Sequence, residues 1–178
     1  HATSTTAGNK GNEIKSADET RTLVGMAYNA SDTWSTTISW RNRRSISTRS
    51  WLTGNRTTTS TAIAEIHTEA RVYFFTWADE AVLANANGSA SNSNAYQTTN
   101  MAIGWDGVSV YGGVSKQANT TATSINSLSA TSIATVGQLT ERALHYCVLG
   151  GAVSANTGTF YGGADNADRT EINVTTRG

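Results

Sequence analysis

Glu65, His67, Glu69 and Arg71 alternate along one short stretch of this chain. Two carboxylates around a histidine are the raw material of acid–base or metal chemistry. If the stretch is a β-strand, however, the two carboxylates stand about 13 Å apart. That exceeds the ~5.5 Å of a retaining and the ~9.5 Å of an inverting glycosidase pair. A single histidine with a flanking acid also falls short of the three protein ligands of catalytic zinc. The quartet therefore reads as a solvated strand face or an ion-pair ladder between subunits.

A second cluster is basic. Arg41, Arg43, Arg44, Arg49 and Arg56 place five of the 13 basic residues in one short stretch. Guanidinium groups capture phosphate or carboxylate in bidentate fashion, which suits an acidic surface glycan or a lipopolysaccharide phosphate. The alternative is pairing with acids of the same or a neighbouring subunit. Among the five tryptophans, Trp34, Trp40, Trp51, Trp77 and Trp105, core burial is the default. Trp51 and Trp105 lie beside Gly or Asp turns and are the expected exposed exceptions, able to stack on sugar rings. The expected ligand-binding set is thus Trp51, Trp105, Arg41, Arg43 and Arg44.

Other chemistry finds little footing. Asp165, Asn166 and Asp168 lie in a Gly-rich loop but lack the ordered ligand spacing of a calcium loop, and read as a turn. There is no Gly-x-Ser-x-Gly elbow, Cys-x-x-Cys pair, phosphate loop or dinucleotide fingerprint. His1, His67 and His145 are too scattered for a triad, and Cys147, the single cysteine, sits in an apolar run as a buried thiol. The expectation is a protein that is not an enzyme, with no catalytic residues, metal or cofactor.

The elements that must carry these residues are written in the composition. The chain of 178 residues holds 29 Thr, 19 Ser and 15 Asn and no Pro, and most of its apolar residues recur at every second position. Alternating side chains point to opposite faces of a strand, so this is the pattern of a sheet with one buried and one wet face. Charged residues are 15% with a formal net charge of +0, against about 25% charged in an average soluble domain. That balance argues against a nucleic-acid partner. No apolar stretch approaches the ~20 residues of a membrane-spanning helix. Because the chain begins at His1 rather than Met, it is expected to be part of something longer, whose upstream segment holds the attachment to other proteins.

Residues 1–19 show no apolar periodicity and read as an extended arm or linker, with a head domain over 20–178. Strands are expected over Thr22–Tyr28, Trp34–Arg41 and Ser45–Leu52. Ala62–Trp77 reads as one long extended segment or two strands around a bulge, apolar on both faces at its far end and so suited to a subunit interface. Ala81–Ala90, Tyr96–Trp105 and Val108–Val114 follow, the last two joined by an Asp106-Gly107 hairpin turn. Thr120–Thr135 reads as a long loop or a pair of small-residue strands, and a short helix is placed around Gln138–Ala143. Leu144–Val153, Thr159–Gly162 and Thr170–Thr176 close the series. Eight or more strands without helical crossovers predict an all-β, antiparallel β-sandwich, jelly-roll-like first and barrel second.

Four segments together resemble a known family: TRTLVGMAY at Thr20–Tyr28, SWRNRR at Ser39–Arg44, TTTSTAIAEIHTEARVYFFTWADE at Thr57–Glu80, and LHYCVLGGAVSANTGTFYGG at Leu144–Gly163. They resemble the C-terminal domain of bacteriophage virion appendage proteins of the tail-fibre and head-fibre type. The likeness runs over most of Arg21–Val174 and consists of structural signatures. It implies a β-sandwich head, commonly a homotrimer, on the virion surface at the tip of a fibre. The expected function is host-surface attachment, with a host glycan or lipopolysaccharide as partner and no membrane insertion. Capsid decoration by a head fibre, with a display or stabilising role, and a glycan-degrading tailspike domain are the alternatives. Self-association also follows from apolar strips that symmetry-related copies could cover.

Overall fold

Alternation along a strand buries one face only if a second layer covers it, and the head of this protein is built that way. The computed structural model describes residues 44–76, 80–122, 124–134, 139, 144–163 and 169–177, together with the backbone of strands between 2 and 39. The chain divides into two units, His1–Arg44 with Gly178, and Ser45–Arg177.

In the first unit, β1 (Ala2–Thr3), β2 (Glu13–Lys15) and β3 (Asp18–Thr22) form a small antiparallel sheet, and β4 (Gly25–Ala30) pairs with β5 (Thr33–Ser39) as a hairpin. Strands thus occur where an arm is expected over 1–19. The hairpin carrying TRTLVGMAY residues falls in this unit rather than in the head, because its pairing is local.

The second unit is an antiparallel sandwich. Its larger sheet holds β6 (Ser45–Trp51), β7 (Arg56–Thr58), β10 (Val82–Asn92), β13 (Asn126–Ala134), β15 (Gly158–Phe160) and β16 (Glu171–Arg177). The smaller holds β8 (Ala64–Glu65), β9 (Val72–Phe75), β11 (Thr98–Trp105), β12 (Tyr111–Ala118) and β14 (Leu144–Val153). Between them lies one continuous core. The larger sheet contributes small residues, Ala84, Ala86, Ala90 and Ala130, with Val82, Leu128, Ile172 and Val174. The smaller contributes bulky ones, Phe74, Met101, Ile103, Trp105 and Leu149. Small against large is how two facing sheets interdigitate at native density.

Among its described residues the low-complexity stretch over Thr120–Thr135 contains a single strand, β13, whose burial alternates strictly: Leu128, Ala130, Ser132 and Ala134 point inward. Small side chains suffice there because the facing residues are large. Ala62–Trp77 is not one extended segment. A 3₁₀ turn at Thr68–Ala70 separates β8 from β9, capped by His67, whose Nδ1 accepts from the Glu69 amide at 3.3 Å. Phe75 is buried within its own chain, while Tyr73 is exposed and lies 5.7 Å from the ring of Tyr146. Trp77 and most of the segment expected to be helical lie outside the described residues.

The return from β11 is a five-residue loop, Asp106–Val110, longer than a two-residue hairpin. Asp106 and Gly107 both take positive φ within it. The Asp106 carboxylate fastens it to β14, accepting the Tyr146 amide at 3.0 Å and lying 2.7 Å from His145 Nδ1.

Candidate functional site

Strand β10 changes partner halfway along. Leu83–Asn87 pair with β16 and Ala90–Asn92 pair with β15. Between them Thr170 crosses the gap. Its amide donates to the Tyr161 carbonyl at 2.9 Å and its carbonyl accepts from the Leu52 amide at 2.9 Å. Gly88 faces it, and any Cβ at that position would collide with the Thr170 hydroxyl and come within 2.7 Å of its Cα. Where the strands part, the outer surface of the larger sheet opens into a cavity of about 430 Å³. It is lined by Arg49, Asn87, Ser129, Arg169 and Glu171 among others. That volume falls within the range of small-molecule sites.

The residues around the cavity are placed by register. Trp51, Glu171, Asn87 and Ser129 form one row across β6, β16, β10 and β13; Arg49, Asn173, Asn85 and Thr131 form the next. Three strand spacings make each row about 14 Å wide. Short hydroxyl and amide side chains tie neighbouring strands together: Ser129 Oγ donates to Asn87 Oδ1 at 2.8 Å, Thr131 Oγ1 to Asn85 Oδ1 at 2.9 Å, and Ser47 Oγ to Asn173 Oδ1 at 2.7 Å. The result is a broad, polar face studded with donors and acceptors.

Charge enters at one end. The Arg169 side chain is only 8% exposed, donates from Nη2 to Glu171 Oε2 at 2.9 Å, and lies over the Trp51 ring at 4.6 Å. Among the described residues its buried Nε has no hydrogen-bond partner. Arg49 is exposed, lies 5.8 Å from the same indole and forms no ion pair among the described residues. Among the described lining residues two guanidinium groups thus face one carboxylate, which leaves one positive charge in surplus. Desolvation of the partly covered end strengthens that field relative to open water.

The expected ligand-binding residues fare differently. Trp51 does not itself line the cavity but lies against two residues that do, Arg49 and Arg169, whose guanidinium groups stand 5.8 and 4.6 Å from its ring, so the indole is not a bare sugar platform. Trp105 is not exposed. It is 3% accessible, packs edge-on to Phe74 at 84°, and donates from Nε1 to Ser132 Oγ at 3.0 Å. The physical reason is parity, since Trp105 continues the inward series of Met101 and Ile103. Arg44 is exposed at the entry to β6, whereas Arg41, Arg43 and the Asp165–Asp168 loop lie outside the described residues.

The acidic quartet does not share a strand face. Glu65 takes Arg71 in a bidentate pair, with Nε–Oε1 and Nη2–Oε2 both 2.7 Å. Glu69 takes Arg56 Nη2 at 2.6 Å and the Thr53 hydroxyl at 2.6 Å. Both carboxylates are therefore engaged by intramolecular partners. Partial burial opposes ionisation of Glu69, but the Thr53 hydrogen bond, Arg56 and His67 outweigh it and hold the carboxyl below its ordinary range. Cys147 is fully buried, and burial first, then the Asp106 carboxylate, pushes its thiol pKa up, which leaves it a poor nucleophile despite His145 two residues away. Among the described residues no group of three or more His, Cys, Asp or Glu is arranged to hold a metal.

Sequence reasoning missed Arg169 and Glu171. They are remote in the chain from the arginine cluster, and only the pairing of β16 with β6 brings them to Trp51. The alternation of Glu171, Asn173 and Thr175 was the available signal for an outward polar face. No protein-family model matches this chain, and no curated protein matches it in sequence.

Proposed function

We propose that this chain is a bacteriophage virion-surface domain of fibre type that attaches to host-surface glycan through the outer face of its larger sheet. The observation that carries the reading is that face itself. Rows of Asn, Ser and Thr lie across four strands and end in a cavity bounded by Arg49, Arg169 and Glu171. Hydroxyl and amide groups match the hydroxyl-rich surface of a polysaccharide, and a flat face serves an extended ligand. The segments that resemble phage appendage domains supply the biological setting, and the acids considered for hydrolysis are already held by arginines.

Homotrimerisation belongs to the same proposal. Tyr111 and Val114 on β12 are 49% and 52% exposed, and Val110 beside them is 47% exposed. An edge strand with apolar side chains in water is a surface that a second copy can cover. Several copies on one particle would turn weak single-site contacts into firm attachment.

Labelled protein mixed with bacterial cells of varied surface chemistry tests the reading. Binding is expected to disappear after periodate oxidation of cell-surface sugars and to be competed by the purified polysaccharide. Cells bound equally well after periodate would refute it. Release of reducing ends from that polysaccharide, abolished by Glu65→Gln or Glu69→Gln, would replace attachment with glycan cleavage. A monomer by light scattering at micromolar concentration would remove the trimer.

A further inference from the structure

Resting on the glycan-attachment reading, we infer that the cavity at the β16–β15 switch selects a sugar bearing a single carboxylate, a uronic or sialic-type residue, held by Arg49 and Arg169. Three observations lead there. First, Arg49 is a guanidinium at the cavity wall with no ion-pair partner among the described residues, and a guanidinium fork matches a carboxylate with two parallel hydrogen bonds. Second, the Arg169 side chain is more than nine-tenths buried, with Trp51 over it and Glu171 at its Nη2, so its position is set before any ligand arrives. A group already ordered loses little conformational entropy on binding. Third, among the described residues Glu171 neutralises one of the two guanidinium charges at the cavity. The single positive charge left among them balances a carboxylate, whereas a dianionic phosphate would bring a further negative charge against Glu171 at 30% exposure.

The other walls suit the rest of a sugar ring. Asn87 and Ser129 present an amide and a hydroxyl on the same row as Glu171, able to donate to and accept from ring hydroxyls. Glu171 itself keeps acceptor capacity beyond its bond to Arg169. The site therefore reads a carboxylate at the arginine end and hydroxyls along the β10–β13 side.

Amide-resolved NMR titration of the full chain tests this, with galacturonate, glucuronate and N-acetylneuraminate as probes, each beside its neutral methyl ester, and inorganic phosphate as a further arm. The expected result is a set of shifts confined to residues around Arg49, Asn87, Ser129 and Glu171 for at least one acid, with its ester about 10-fold weaker. Arg49→Ala should weaken the acid by a similar factor and leave the ester unchanged. Asn87→Asp should also weaken the acid by placing a like charge in the cavity, while the new carboxylate still accepts from Ser129 and keeps the sheet intact. Both sites are exposed, so the variants are expected to retain the wild-type spectrum elsewhere. Equal binding of acid and ester, insensitivity to Arg49→Ala, or phosphate binding more tightly than any sugar acid would overturn the carboxylate assignment. So would silence towards all three acids. Periodate-sensitive cell binding would stand through each of those results, so the failure of this inference is distinct from failure of glycan attachment.

Discussion

Gly88 offers a test in which two physical effects predict opposite signs. Glycine inside a strand is intrinsically unfavourable, and replacing it with alanine normally stabilises by about 0.4–1 kcal/mol through a less free unfolded chain. In this fold the added Cβ would meet the Thr170 hydroxyl and stand 2.7 Å from the Thr170 Cα, a backbone atom held by hydrogen bonds at 2.9 Å on both its amide and its carbonyl. Ordinary contact begins at 3.4 Å, so the two strands must part by several tenths of an ångström. Overpacking of this kind costs about 1–3 kcal/mol, which exceeds the entropic gain. The net expectation for Gly88→Ala is a loss of about 1–2 kcal/mol, and a midpoint lowered by roughly 2–8 °C at 2–4 °C per kcal/mol for a chain of this size. Thermal unfolding followed by circular dichroism measures it. Displacement of residue 170 would also move Arg169 and Glu171, so the sugar-acid titration should weaken in parallel. An unchanged or raised midpoint would show that the Thr170 crossing does not constrain β10, and the account of how the cavity is held open would be abandoned.

Gly151 and Phe160 provide a coupling test. A Cβ on Gly151 would lie 2.7 Å from two ring atoms of the fully buried Phe160, so Gly151→Ala and Phe160→Ala should cost about 1–3 and 3–5 kcal/mol singly. The double variant should fall short of their sum by more than about 0.5 kcal/mol in urea denaturation, because the new methyl fills part of the vacated space; strict additivity would contradict the contact. Glu69 titrates below its ordinary value of 4.5 in the fold, so it binds fewer protons there than in the unfolded chain. Its contribution is present above that value and is lost as acidification proceeds through the lowered folded value; Glu69→Gln should flatten this part of the stability-against-pH curve. Cys147 should resist a thiol reagent in the native protein and react once denaturant is added, whereas rapid native labelling would contradict its burial.

The sandwich was legible because its cause is local. Val82, Ala84 and Ala86 alternate with Leu83, Asn85 and Asn87, and that parity is the inside and outside of β10 in the structure. Leu144–Val153 was legible to the residue for a different local reason, a continuous apolar and small-residue run that is buried at every position from Cys147 on. Breaks were harder: the 3₁₀ turn at Thr68–Ala70 lies within an apolar alternation, and His67 creates it by capping the Glu69 amide, a contact that competes with extended backbone. Trp105 departs from the expected exposure because strand parity, and not proximity to a turn, sets the direction of its side chain. The arginine cluster includes Arg49, which lines the cavity, but nothing in it could name Arg169, which reaches Trp51 only after β16 pairs with β6.

Side-chain alternation and turn spacing by themselves determined that this protein is built from antiparallel sheets, which residues of a strand such as β10 face the core, and that its outer surface is rich in hydroxyl and amide groups. Tertiary structure alone decided that β10 exchanges one neighbour for another at Gly88, that Glu65 and Glu69 are held by Arg71 and Arg56, and that Arg49, Arg169 and Glu171 meet beside Trp51. The difference is physical: the direction of a side chain follows from its own strand's two-residue period, whereas the meeting of residues far apart in the chain depends on which strands pair and in what register.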